Sequence, residues 1–161
     1  MTTPVSGEGG VDAYARLAEL GLTLPAVVPP LAAYVPAVQS GNYVYVSGQL
    51  PMVDGKLPYV GKVGAEVTPE QGAELARYCA LNALAAIEAL VGLGQLVKIV
   101  KITGFVASAP GFTGQPAVVN GASLLLHAVL GDAGVHARSA VGVAVLPMDA
   151  PVEVEIVVEL A

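Results

Sequence analysis

Hydrophobic and polar positions along this chain switch between two periods, and the switches mark its elements. VDAYARLAELGL reads as a short amphipathic helix ending at Gly21, with Leu17 and Leu20 facing inward. LPAVVPP then forces an extended connection, because proline removes backbone donors and biases the residue before it toward the β region. AAYVPAVQSGNYVYVSGQLP reads as a hairpin: Val38 and Val44 through Val46 lie in β-rich runs, and Ser40-Gly41-Asn42 supplies turn chemistry. VDGKLPYVGKVGAEV is a glycine-punctuated loop whose sharpest turn signal is Asp54-Gly55.

Thr68-Pro69-Glu70-Gln71 is the strongest local signal. Thr68 can cap a helix, Pro69 suits its first position, and Gln71 can return the capping-box bond. Leu75, Ala76, Cys79, Ala80, Ala83, Leu84, Ile87 and Leu90 follow at three- and four-residue spacings, one apolar face for a sheet, with Cys79 as core. Gly92-Leu93-Gly94 ends that helix; lacking a third glycine and following a helix, it is no dinucleotide fingerprint. LVKIVKITGFVAS reads as a central strand. A second amphipathic helix from Phe112 to Leu130 carries Val118, Val119, Ala122, Leu125, Leu126 and Val129. HARSAVGVAVLP and PVEVEIVVEL close the chain as strands. The order ββαβαββ behind a small helix implies an α+β fold: a mixed sheet with two helices on one face, the other face left for a partner subunit.

With 161 residues the chain suits one domain, expected as a disordered tail over 1–9 and a single domain over 10–161, with an N-terminal helical extension (10–30) on a core (31–161). A net charge of -6 with seven Lys+Arg disfavours nucleic acid. One cysteine permits no internal disulfide, and MTTPVSGEGG lacks the features of a secretory signal, so a cytoplasmic location is expected. Leu20–Val53 and Ile102–Gly131 lack charge, but prolines and glycines interrupt both, which favours buried elements over membrane spans. At 55% hydrophobic and 12% charged residues, the chain has more apolar surface than one small globule hides, and oligomerisation would absorb the excess.

Chemistry-bearing constellations are scarce. Two histidines, no HExxH, no cysteine pair and no Gly-x-Ser-x-Gly elbow leave metal and triad chemistry unsupported. His127 falls on a helix face, and His136 sits beside Arg138. Arg138 opens a strongly apolar strand, where a guanidinium needs an anionic partner. Two readings stand open: an ion pair with Glu153 on the neighbouring predicted strand, or a substrate carboxylate, which an arginine fork fits equally well.

HARSAVGVAVLPMDAPVEVEIVV, VYVSGQLP and PAVVNGASLLLHAVLG together resemble three motifs of the RidA/YjgF family (reactive intermediate/imine deaminases, also named endoribonuclease L-PSP), in the right order over roughly residues 32 to 159. The resemblance implies a chorismate-mutase-like α+β fold, a homotrimer with ligand clefts between subunits, and hydrolysis of reactive enamines and imines of the 2-aminoacrylate type to 2-keto acids and ammonia, without cofactor or metal. Carried across, it places Arg138 on the substrate carboxylate, Glu153 on the attacking water, and Tyr34, Ser47, Gly48 and Asn120 in the cleft. Near Arg138, Glu153 would ionise easily and act chiefly by orienting that water.

Ala140, Gly142, Ala32-Ala33, the N-terminal helix and the GKVGAEV loop depart from the family pattern. They point to a divergent branch with a cleft for a larger substrate, or to a trimeric carboxylate-binding or regulatory protein without turnover. A purely structural trimer would pair Arg138 with Glu153 in a closed cleft. A ribonuclease activity is disfavoured by the acidic charge.

Overall fold

The computed structural model describes residues 12–161, so the tail expected over 1–9 lies outside the described residues. In chain order come helix α1 (Ala13–Glu19), strands β1 (Ala37–Ser40) and β2 (Tyr43–Gln49), helix α2 (Pro69–Leu90), strand β3 (Leu96–Ala107), helix α3 (Gln115–Leu130) and strands β4 (Ala137–Val143) and β5 (Val152–Leu160). This is the ββαβαββ order behind a short helix. The sheet runs β1-β2-β5-β3-β4. Only β3 and β4 are parallel, joined by α3 as a crossover, and every other pairing is antiparallel.

Local sequence explains most boundaries. Thr68 Oγ1 accepts from the Gln71 amide at 3.1 Å while Gln71 Oε1 accepts from the Thr68 amide at 3.0 Å, closing the capping box that starts α2. Asp54 and Gly55 both take positive φ, 50° and 78°, to turn the chain between the bridged residues Val53 and Lys56. Gly41 turns the β1–β2 hairpin at φ 57°. The second helix begins at Gln115 instead of Phe112. Phe112 closes a turn onto the Ala109 carbonyl, and Pro116 starts the helix proper.

Helices α2 and α3 cover one face of the sheet. Val44, Ile102, Val154 and Ile156 point into that layer against Leu75, Leu84, Val119 and Leu126, all essentially without solvent contact. Cys79 is buried among them, and burial pushes its thiol well above the ordinary range, so it serves as core. Two expected core positions are surface. Leu20 is 38% exposed because α1 stops at Glu19; Gly21 reverses the chain at φ 68° and Leu22 and Leu24 pack inward in its place. Leu90 is 45% exposed at the last position of α2, where Val91 takes the inward role. Helix α1 docks through Tyr14, whose hydroxyl donates to Glu88 Oε2 at 2.8 Å, and through Arg16, whose Nε donates to the Ala128 carbonyl at 3.1 Å.

Among the described residues nothing covers the opposite face. Val38, Tyr43, Tyr45 and Val141 stand exposed there beside Glu155 and Lys101, a largely apolar surface broken by a few charges.

Candidate functional site

Arg138 lies in β4, an edge strand, opposite Ile102 of β3. Ile102 is buried beneath the helices, so Arg138 also faces the helix layer, at the open margin between β4 and α3. Helix α3 holds the guanidinium. Nη1 donates to Asn120 Oδ1 at 2.7 Å and to Ser123 Oγ at 3.2 Å, and Nη2 donates to the Pro116 carbonyl at 3.2 Å. Pro116, Asn120 and Ser123 sit at i, i+4 and i+7, one face of the helix. Three of the five guanidinium N–H groups are thus committed, leaving the Nε–H and one Nη2–H without a partner among the described residues.

A second tier fixes this arrangement. His136 Nδ1 lies 2.6 Å from the Gly134 carbonyl, which can only accept, so Nδ1 carries the proton and Nε2 is the acceptor. The Ser123 hydroxyl, 2.9 Å from Nε2, donates there and keeps its lone pairs for Arg138. Burial, with the Arg138 charge adding to it, holds His136 below its ordinary pKa, and the neutral ring suits this chain of bonds. Sequence reasoning gave Ser123 no role and His136 only the interest of standing beside Arg138. The available signal was Asn120 and Ser123 three residues apart on an otherwise apolar helix.

Glu153 is elsewhere. The expected ion pair with Arg138 does not form within the chain, for two reasons. Strand β3 separates β4 from β5, and Glu153 alternates with Val152 and Val154, which face the helices, so its side chain leaves the opposite face of the sheet. The expected easy ionisation is reversed too: partial burial, with Glu155 adding to it, raises the Glu153 pKa above the ordinary carboxylate value.

The other expected cleft residues gather around Glu153. Between Val46 and Gln49 the register of β2 against β5 slips, and Ser47 and Gly48 occupy the bulge. The Glu153 carboxylate rests on Gly48, where any Cβ would overlap Oε1. The Ser47 hydroxyl donates to the Val35 carbonyl at 2.6 Å, pinning the segment that carries Tyr34, so its proton is already used. Tyr34 is exposed, with its hydroxyl accepting from the Leu31 amide at 3.3 Å. The structure therefore divides the six expected residues into two half-sites: Arg138 with Asn120 on the helix-covered side, and Glu153 against Gly48, with Ser47 in the same bulge and Tyr34 lining a cavity with Gly48. Of the departures noted above, Gly142 leaves room for Gln115, whose Nε2 would lie 2.8 Å from a Cβ, and Ala140 packs against the core.

Among the described residues no group of three or more His, Cys, Asp or Glu side chains is placed to hold a metal ion. The first half-site offers a fixed cation with spare donors, and the second a half-buried carboxylate of raised pKa.

Comparison with known proteins agrees with this architecture. Residues 14–160 match the family described as "YjgF/chorismate_mutase-like, putative endoribonuclease". Protein TCP17 of Trypanosoma cruzi is 46% identical over 148 residues, 91% of this chain and 92% of that protein. The crystal structure of Atu1372, a protein of unknown function from Agrobacterium tumefaciens, superposes with a TM-score of 0.86 at 46% identity, covering 92% of each chain. A crystal structure from Shewanella oneidensis MR-1 superposes at 0.88 with 33% identity, covering 92% of this chain and 99% of the other. The match runs through α1 to β5 and includes both half-sites, so this chain belongs to the YjgF/RidA family and has its chorismate-mutase-like fold.

Proposed function

We propose that the protein hydrolyses small carboxylate-bearing imines and enamines of the 2-aminoacrylate type to 2-keto acids and ammonia, working as a homotrimer in which the Arg138 half-site of one copy faces the Glu153 half-site of its neighbour. The observation that carries this reading is Arg138: a half-buried guanidinium tied down by α3, with no carboxylate paired to it and two N–H groups unused among the described residues. Such a fork is prepared for a ligand carboxylate. The uncovered apolar sheet face supports association, and family membership supports the trimer.

The chemistry asks little beyond positioning. Arg138 holds the carboxylate, and the enamine, once protonated at its terminal carbon, is an iminium with an electrophilic C2. Water attacks C2, and Glu153 takes a proton from that water. Glu153 returns that proton to the nitrogen of the carbinolamine and then accepts the hydroxyl proton as the C–N bond breaks, releasing ammonia and leaving the ketone. A second reading, carboxylate binding without turnover, draws on the fact that Arg138 and its α3 partners form a complete anion seat without Glu153.

The test is the rate of keto-acid release from enzymatically generated 2-aminoacrylate in competition with semicarbazide. Wild type should accelerate release, and Arg138→Ala should lose the acceleration while remaining folded. A folded, trimeric wild type that leaves the rate unchanged yet binds pyruvate would establish the binding role instead.

A further inference from the structure

A cavity of about 460 Å³ lies between the proline-rich segment 25–31, the end of β2 and helix α2, with Gly48 on its wall. Its size falls within the range of small-molecule sites, roughly 300–1,000 Å³. The roof, with Pro25, Pro29 and Pro30, contributes few backbone donors, and Leu50, Met52 and Met148 make the rest largely apolar.

Two of the polar side chains on the lining, Asn82 and Gln49, are buried. Asn82, on α2 and only 1% exposed, spends its amide protons on the Leu50 and Met52 carbonyls at 3.0 and 3.1 Å. Gln49, 5% exposed, donates to the Ser47 carbonyl at 3.1 Å. Neither amide oxygen accepts a bond from a described residue, and no buried side-chain oxygen or nitrogen is left without a partner. Both oxygens thus keep their acceptor capacity among the described residues, and both residues line this cavity. It offers acceptors and, with Asp54 at its edge and no lysine or arginine on its wall, repels anions.

Tyr34 and Gly48 also line the cavity, and Gly48 is the residue on which the Glu153 carboxylate rests. We propose that this cavity receives the side chain of the substrate and selects imines derived from aromatic amino acids, above all those with a hydrogen-bond donor at the far end, such as the phenol of a tyrosine-derived imine. The proposal rests on the imine-hydrolysis reading above. It adds a specificity pocket that discriminates against small imines, which leave the cavity wet, and against acidic ones, whose tail meets the Asp54 carboxylate and no lysine or arginine among the lining residues. Each methylene-sized group removed from water contributes about four-fold in kcat/KM, so an aromatic ring should gain at least ~30-fold over a methyl group.

The experiment generates imines with an amino-acid oxidase from alanine, phenylalanine, tyrosine and glutamate and measures kcat/KM for each by semicarbazide competition. Tyrosine- and phenylalanine-derived imines should exceed the alanine-derived one by at least ~30-fold, with the glutamate-derived imine poorest. Val28→Trp, which adds bulk to the roof, should lower the phenylalanine-to-alanine ratio at least ~10-fold, since a filled pocket no longer rewards the ring. A wild type that hydrolyses all four imines equally, or a ratio unmoved by Val28→Trp, overturns the pocket while leaving imine hydrolysis standing. If no imine is hydrolysed, calorimetric binding of 4-hydroxyphenylpyruvate and pyruvate decides the pocket by itself. Tighter binding of the aromatic acid, lost in Val28→Trp, upholds it; equal binding of the two acids overturns it.

Discussion

Two glycines offer the same substitution with opposite expected consequences, and together they test whether the packing is as described. At Gly48 a Cβ meets the Glu153 carboxylate, the mobile end of a side chain that can swing aside. Gly48 has ordinary φ, so alanine also removes some freedom from the unfolded chain. Gly48→Ala should keep stability within about 0.5 kcal/mol of wild type while moving the carboxylate from its seat, so any hydrolytic activity falls with little change in melting temperature. At Gly121, inside α3, a Cβ overlaps the Ala73 carbonyl of α2, with its carbon at 2.7 Å and Ala73 Cα at 3.1 Å. Backbone cannot swing aside, so the helices must part. Against a gain of about 1 kcal/mol in helix propensity stands an overpacking cost of up to about 3 kcal/mol, or more where main chain is displaced. Gly121→Ala should lose about 2 kcal/mol net, a fall of roughly 4–8 °C for a domain of this size. Urea denaturation and calorimetry of both variants provide the measurement. A Gly121→Ala protein as stable as wild type would refute the close α2–α3 approach, and an unchanged activity in Gly48→Ala would refute the placing of Glu153 on that glycine.

Two further outcomes follow from the same geometry. Because the folded-state pKa of Glu153 is raised, the folded chain holds that proton more tightly than the unfolded chain, and the stability this gives below the ordinary carboxylate pKa is lost as pH rises through the elevated value; Glu153→Gln should melt higher than wild type at pH 7.5 and level with it near pH 4, and no gain at pH 7.5 would mean that a cation compensates the charge in the assembled protein. Thr68→Ala removes the side-chain half of the capping box and should cost about 1 kcal/mol in urea denaturation, whereas an unchanged midpoint would show that water replaces the cap.

What the sequence disclosed was local. The capping box, the apolar face of α2, the Asp54-Gly55 turn and the helix stop at Gly92 each depend on residues within a few positions of one another, and each appears in the structure as expected. Misjudged inward positions fell at helix ends: Leu20 just past α1, and Leu90 at the last position of α2, where the period continues in sequence but the packing does not. The placement of Arg138 against Glu153 depended on something non-local: β5, last in sequence, inserts between β2 and β3, so β4 and β5, consecutive in the chain, are not adjacent in the sheet. The spare cavity was equally hidden, since its roof comes from residues 25–31 and its polar groups from β2 and α2.

Half of the facial assignment was nevertheless legible. In β5, Val152-Glu153-Val154-Glu155-Ile156 alternates cleanly, so its glutamates had to leave the helix-covered face. In β4, Ala137-Arg138-Ser139-Ala140-Val141-Gly142 has no such alternation, and only α3, which supplies Pro116, Asn120 and Ser123 to the guanidinium, fixes which side Arg138 takes. That side has a chemical consequence. An arginine and a glutamate on one face and on neighbouring strands would neutralise each other and spend their hydrogen bonds in the resting protein. On opposite faces, with β3 between them, each stays available to what arrives from outside the chain. Among the described residues the guanidinium keeps two free donors, so the separation that defeats an internal ion pair leaves both groups open to what arrives from outside the chain.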